Sequence, residues 1–381
     1  MDILAFIEDP GAANFVAPVL PELASAGCQT GMFATAAGAE QLAKLSVVAE
    51  RIEIGVDAEK LLDHWNPRLV LVGTSENPDT LGLKLVAAAR CRGIVSVGVV
   101  DGPANPAWRF RGLSESPLAC APDWILVANE ATRANFVSLG HPPEKILAVG
   151  HPHYDRVWER RDQLESTVRQ AIRNRIFPAA GARRIVTFIA EISDGLNQSQ
   201  YSRSPNYTLR GRGTSSRRTD IVLEEVLDAL ALVSPRPYFG LRLHPKNAPD
   251  EFAAYRSEMD FISRTEDAQE LVYASDLVAG MTSHLMIEAA ILGCPTLAVL
   301  PRLQEREWLA TIAAGLTACA VTRTEVRALL PRFLAGESGG QGARPCGEAF
   351  SRGAAKRAAG VLAGLVAKMP KALPDNNMGE A

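Results

Sequence analysis

Short, wholly apolar runs alternate with helix-like segments along this chain, in two separate series. Ile3-Leu4-Ala5-Phe6-Ile7 ends in the polar stretch Glu8-Asp9-Pro10-Gly11. A run of that length without polar alternation suits a strand buried on both faces of a parallel sheet. Further runs stand at Leu69 to Val72, Ile94 to Val100, Trp124 to Val127 and Ile146 to Val149. Helix-like segments lie between them, near 12–26, 57–65, 79–92 and 130–139, the first closed by Gly27. Strands alternating with helices predict βαβ units and a doubly wound α/β domain.

A second series starts after the break at Pro178-Ala179-Ala180-Gly181. Its strands are expected at Arg184 to Ala190, Tyr238 to Leu243, Leu277 to Ala279 and Thr296 to Leu300, with helices at 219–233, 266–274, 283–292 and 303–314. At 381 residues the chain is long enough for two domains. The expected division is an N-terminal domain over 1–155, a hinge helix over 156–177, a C-terminal domain over 178–345, and a last helix and frayed tail over 346–381. The alanine-rich last helix, 348–368, has the composition to pack on either domain.

Composition narrows the function classes. Hydrophobic residues at 47% and charged residues at 22% suit a soluble globular chain. Forty basic against 43 acidic residues give a net charge of −3, which argues against a general nucleic-acid binder. No apolar run approaches the roughly 18 residues that span a bilayer. The start, Met1-Asp2-Ile3-Leu4, lacks a basic segment and does not read as a signal peptide. The six cysteines never form CxxC and are read as reduced thiols, with the cytoplasm as the expected address.

Four motifs carry candidate chemistry. In 276–300 a strand is expected to end at Gly280, and Thr282 and Ser283 open the next helix. Free N–H groups and the helix dipole there make an anion site to which two hydroxyls add donors; the plainer reading is helix capping. Glu288, further along that helix, is placed to take the hydroxyls of a ribose or to lie on a solvated face. Arg242-Leu243-His244-Pro245-Lys246 closes a strand, where ligands of open α/β sheets bind. His244 there is either a hydrogen-bond donor to a leaving phosphate or structural. Asp101-Gly102, after the run ending at Val100, offers a general base or a turn. Asp9, Gly11 and Asn14, after the first strand, form either a close ligand approach or an ordinary βα turn. GxGxxG, Walker A, HExxH and a DxD pair are absent. One segment breaks the pattern: 196–219 holds five arginines and no acid, as a solvated loop or a lid over an anionic substrate.

Taken in order, these pieces resemble GT-B glycosyltransferases. The stretch from Ala121-Pro122-Asp123-Trp124 to Gly150-His151-Pro152-His153-Tyr154-Asp155 is similar to the end of their N-terminal domain and hinge, and Asp276 to Pro301 to their donor-binding strand–helix–strand. The resemblance covers about 1–335 and implies two Rossmann-like domains facing a cleft, acceptor on the N-terminal side and nucleotide-sugar donor on the C-terminal side. Asp101-Gly102, His244-Pro245 and Thr282-Ser283 also resemble, in order, the three short motifs of bacterial CMP-sugar transferases of the sialyltransferase type, with Val100 where those carry a second acid.

That resemblance implies Asp101 as the base toward the acceptor hydroxyl and His244 as stabiliser of the departing phosphate. Arg242, Pro245, Thr282, Ser283 and Glu288 would bind the donor, and Asp9, Gly11 and Asn14 would line the acceptor side. It implies no metal and no resident cofactor. The expected partners are a nucleotide sugar and a glycan, lipid-linked or protein acceptor, compatible with peripheral membrane contact and excluding nucleic acid. UDP-N-acetylglucosamine 2-epimerase is similar in fold and in its Glu-bearing helix. It carries glycines and paired glutamates where this chain has Met281-Thr282-Ser283-His284 and Glu288. A non-catalytic binding subunit on the same scaffold is the third reading.

Overall fold

Every apolar run named above lies in a parallel strand, and the strands gather into two sheets. The computed structural model describes residues 1–53, 55–164, 166–192, 194–195, 197–248, 250–336 and 350–369. Two compact units emerge: Met1–Arg156 with Glu348–Ala381, and Val157–Gly347. The expected boundary at 345 and the tail after Pro370 fall outside the described residues.

The first unit holds β1 Ile3–Ile7, β2 Thr30–Ala34, β3 Glu50–Arg51, β4 Leu69–Gly73, β5 Val95–Val100, β6 Trp124–Val127 and β7 Ile146–Ala148. They lie in the order β3-β2-β1-β4-β5-β6-β7, all parallel. Strand β1 shows why an unbroken apolar run belongs here. Ile3, Ala5 and Ile7 enter one core cluster, Leu4 and Phe6 the cluster on the opposite face. The segment read as one helix over 12–26 is two, Pro10–Val16 and Val19–Ser25, interrupted at Ala17-Pro18. Proline has no N–H to continue the ladder of the first helix.

The C-terminal helix Ala354–Ala367 belongs to this unit. Its Ala358, Ala359, Leu362, Leu365 and Val366 join the cluster that holds Ile3 and Ile7. Both its ends are closed by residues far away in sequence. The Asp155 carboxylate accepts from the N–H groups of Gly353 (2.7 Å), Ala354 (3.3 Å) and Ala355 (2.9 Å). Arg68 donates to the carbonyls of Val366 and Met369, each at 2.6 Å. At the sheet's last strand, Arg133 Nε donates to the Ile146 carbonyl at 2.9 Å, and Arg357 Nε to that of Val149 at 2.9 Å.

The second unit holds β8 Ile185–Ile189, β9 Tyr238–Arg242, β10 Phe261–Ser263, β11 Leu277–Gly280, β12 Thr296–Val299 and β13 Ala318–Ala320. Their order is β10-β9-β8-β11-β12-β13, again all parallel. Helices His153–Gln163 and Ser166–Ile176 cover most of the expected hinge; past Arg156 they group with this unit. Asp276 is the reason at the base of the sheet. Its carboxylate accepts from Arg173 (2.8 Å), Arg169 (3.3 Å) and the Ile185 N–H (2.8 Å), tying the second helix to the start of β8. No helix among the described residues is long and apolar enough to cross a membrane.

Candidate functional site

Strand order reverses between β1 and β4 in the first unit and between β8 and β11 in the second. In open α/β sheets the crevice outside the carboxyl ends at such a reversal is where ligands bind.

In the second unit three strand ends meet there. Strand β8 runs out into Ala190 and Glu191, β9 into Leu243 and His244, and β11 into Met281 and Thr282. Glu191 sits at the centre. Its carboxylate accepts a short hydrogen bond from the Thr282 N–H and one from the Thr282 hydroxyl at 3.2 Å. Arg218 Nη1 donates to it at 2.7 Å, and Arg218 Nη2 lies 3.4 Å from the Thr282 hydroxyl. Arg218 is 1% exposed and bonds closely to the fully buried Glu305, which Arg302 also holds. A buried guanidinium between two carboxylates has its charge compensated, and loss of Glu191 would leave it sharing Glu305 with Arg302.

His244 stands beside this cluster with a defined tautomer. Its Nδ1 accepts from the Lys246 N–H at 3.1 Å, so a neutral ring carries its proton on Nε2. Burial, and then the positive charge of Lys246, push its pKa below the ordinary histidine value, against the pull of Glu191 and Glu251. A neutral imidazole with Nε2–H as donor is therefore its resting form. Asn247 links the two strand ends: its Oδ1 accepts from the His244 N–H at 2.8 Å, and its Nδ2 donates to the Glu191 carbonyl at 3.3 Å.

The other donor-side residues are placed as follows. Ser283 is the N-cap of helix His284–Ile291, its hydroxyl accepting from the Leu285 N–H at 3.2 Å. Glu288, half-buried on the same helix, accepts from Gln269 Nε2 at 2.9 Å. Arg242, at the end of β9, spends its guanidinium on Ser263 Oγ and the Glu266 carbonyl, each at 2.8 Å. Pro245 is exposed beside His244. His244 and Thr282 are thus brought together through Glu191, whereas Arg242 is committed to β10.

In the first unit Asp101 and Gly11 are brought together. A methyl group on Gly11 would fall 1.9 Å from Asp101 Oδ2, so the first turn of helix Pro10–Val16 admits the carboxylate only because that position is glycine. Asp9 is the N-cap of that helix. Asn14 Oδ1 accepts from Gln41 at 2.8 Å and ties the helix to its neighbour Ala36–Lys44. Asp101 also faces Arg109 Nη1 at 3.5 Å. Glu8, immediately after β1, accepts from Asn77 Nδ2 at 3.2 Å, and burial raises its pKa despite that bond.

The arginine-rich segment is pinned into the second unit. Arg203 donates to the carbonyls of Arg210 and Ser215, both at 2.8 Å, and Arg212 clamps Glu258 with two bonds of 2.7 Å. Arg217 pairs with Glu251, and Arg218 with Glu191 and Glu305. Four of its five arginines therefore serve internal acceptors. Glu191, Arg218 and Glu305 were not among the residues singled out from sequence. The available signal was an acid within two residues of the end of each unit's first strand, Glu8 after β1 and Glu191 after β8.

No family model matches the chain, and no curated protein matches it. Solved structures do. A UDP-GlcNAc 2-epimerase from Neisseria meningitidis bound to UDP-GlcNAc aligns with a TM-score of 0.64 at 15% identity, over 97% of this chain and 100% of that one. The Methanocaldococcus jannaschii UDP-GlcNAc 2-epimerase in complex with UDP-GlcNAc and UDP gives 0.65 at 13% identity, over 95% and 99%. The wall teichoic acid polymerase TagF gives 0.55 at 13% identity, over 96% and 88%. At such identities the likeness is one of fold: two parallel-sheet α/β domains of the GT-B kind.

Proposed function

We propose that this protein is a GT-B-type enzyme that takes a nucleotide sugar as donor and transfers the sugar to a hydroxyl acceptor. The observation that carries the reading is the carboxylate of Glu191 seated on the Thr282 N–H and hydroxyl beside Arg218. That place takes an anion. A donor phosphate displacing Glu191 would meet the same donors, the N-terminus of helix His284–Ile291 and the Nε2–H of His244. In the transfer, the acceptor oxygen forms a bond to the sugar's anomeric carbon as the bond from that carbon to the phosphate oxygen breaks. The electron pair leaves with the nucleotide phosphate, and the acceptor proton passes to Asp101. Glu288 would hold the ribose.

The order Asp101-Gly102, His244-Pro245, Thr282-Ser283 favours a CMP-linked donor. A second reading, 2-epimerisation of a UDP-sugar, is favoured by the named epimerases aligning over nearly the whole chain. Calorimetric titration with CMP, CDP and UDP, repeated on His244→Ala and Ser283→Ala, separates them. CMP binding weakened about tenfold in both variants supports a CMP-sugar transferase, and UDP preference supports the epimerase or a UDP-sugar transferase. Absence of all nucleotide binding overturns both.

A further inference from the structure

In the first unit the loop joining β5 to β6 carries two guanidinium groups that the protein leaves underused. Arg109 is 11% exposed at its side chain. Its contacts are long: Nη1 to Asp101 Oδ1 at 3.5 Å and Nη2 to the Ala104 carbonyl at 3.4 Å, while its buried Nε has no partner. Arg218 and Arg173, by contrast, meet carboxylates at 2.7 and 2.8 Å. Arg111 stacks over Trp108 at 3.9 Å, its buried Nε also lacks a partner, and it meets no carboxylate among the described residues. The loop is held in shape. Asn105 adopts the left-handed conformation at φ 51°, donates to Glu76 at 2.9 Å and is followed by Pro106. Two guanidinium groups on one loop, Arg109 only distantly paired with Asp101 and Arg111 with no acid, offer an oxyanion forks of parallel N–H donors.

We propose that Arg109, supported by Arg111, binds a phosphate or carboxylate group carried by the acceptor, and that Asp101 holds Arg109 in place until that group arrives. Transfer of Arg109 to the incoming anion frees Asp101 Oδ1 to accept the proton of the acceptor hydroxyl, while Oδ2 stays packed beside Gly11. The assignment of the anion to the acceptor rests on the function proposed above; the anion site itself does not.

The test is calorimetric titration with three probes on one frame: glucose 6-phosphate, glucuronate and glucose. It is run in a Thr282→Val background, which weakens phosphate capture in the second unit, and only the Arg109-dependent part of the binding is counted. A charged probe is expected to bind and glucose not to, and the stronger of the two identifies phosphate or carboxylate as the natural group. Arg109→Ala should weaken that binding at least tenfold. Arg109→Lys, which keeps the charge and loses the fork, should weaken it severalfold, and Asp101→Asn should strengthen it by removing the competing carboxylate. Equal affinity in the parent and Arg109→Ala, equal binding of glucose, or no binding of either charged probe overturns the inference. Nucleotide titration of the Thr282-intact protein is read separately. Nucleotide binding without an Arg109-dependent anion leaves the proposed function standing and sinks the anion site; the reverse result does the opposite.

Discussion

Glu191 seats its own carboxylate on Thr282 and Arg218, so under the proposed function it would compete with the donor phosphate. Glu191→Gln is expected to tighten nucleoside monophosphate binding about fivefold in calorimetry, since a charge-assisted bond gives way to a neutral one. The same change should lower the melting temperature, because Arg218 loses one of its carboxylates. Burial holds the His244 pKa down, so the unfolded chain takes up its proton first as pH falls below about 6.5. Stability from the neutral ring is complete above that value and is lost on acidification. The melting temperature of the wild type should therefore fall more than that of His244→Gln between pH 7.5 and 5.5. His244, Thr282, Ser283 and Asp101 were legible in the sequence because each follows an apolar run, where a polar residue stands at a strand's carboxyl end. The Glu191–Arg218 pair was not. Arg218 stands near the end of the arginine-rich segment, and only the return of that segment to the carboxyl end of β8 brings the two together.

Helix Ala354–Ala367 has glycine, Gly353, at its N-cap and no acid in its first turn, so its own sequence supplies no side-chain cap. Asp155 provides one from another element. Asp155→Ala is expected to cost about 1–2 kcal/mol, the usual loss for a side-chain cap, measured by chemical denaturation. Asp276 acts at the level of a strand start. Burial opposes its charge, yet the bonds from Arg173 and the Ile185 N–H prevail and hold its pKa below the ordinary value. A depressed carboxylate contributes stability above the unfolded pKa of about 3.9 and loses it as pH falls through the folded one. Asp276→Asn should therefore be less stable than the wild type at pH 7, with the gap closing toward pH 3 in acid-unfolding curves. Apart from Thr30–Ala34, whose first three residues are partly exposed, the inner strands were readable as elements because both faces are apolar. The edge strands Glu50–Arg51, Phe261–Ser263 and Ala318–Ala320 were not: two or three residues, partly exposed, leave no apolar run to detect.

At the scale of the molecule, the alternation of runs and helices dictates two doubly wound sheets, and both form. The path of the last helix was not dictated. Its alanine-rich composition suits either unit, and the choice lies in distant side chains, Asp155 and Arg68. The guanidinium of Arg133 on the Ile146 carbonyl has a further consequence. A bare outer strand is a template on which another copy's strand can pair, and repeated pairing builds a polymer. At this border the acceptor is already taken by a bulky cation, so a neighbouring chain must both break that bond and bring its own strand against a positive charge. Growth of the first sheet along β7 is thus opposed, and light scattering of concentrated Arg133→Ala should rise with time where the parent solution stays clear.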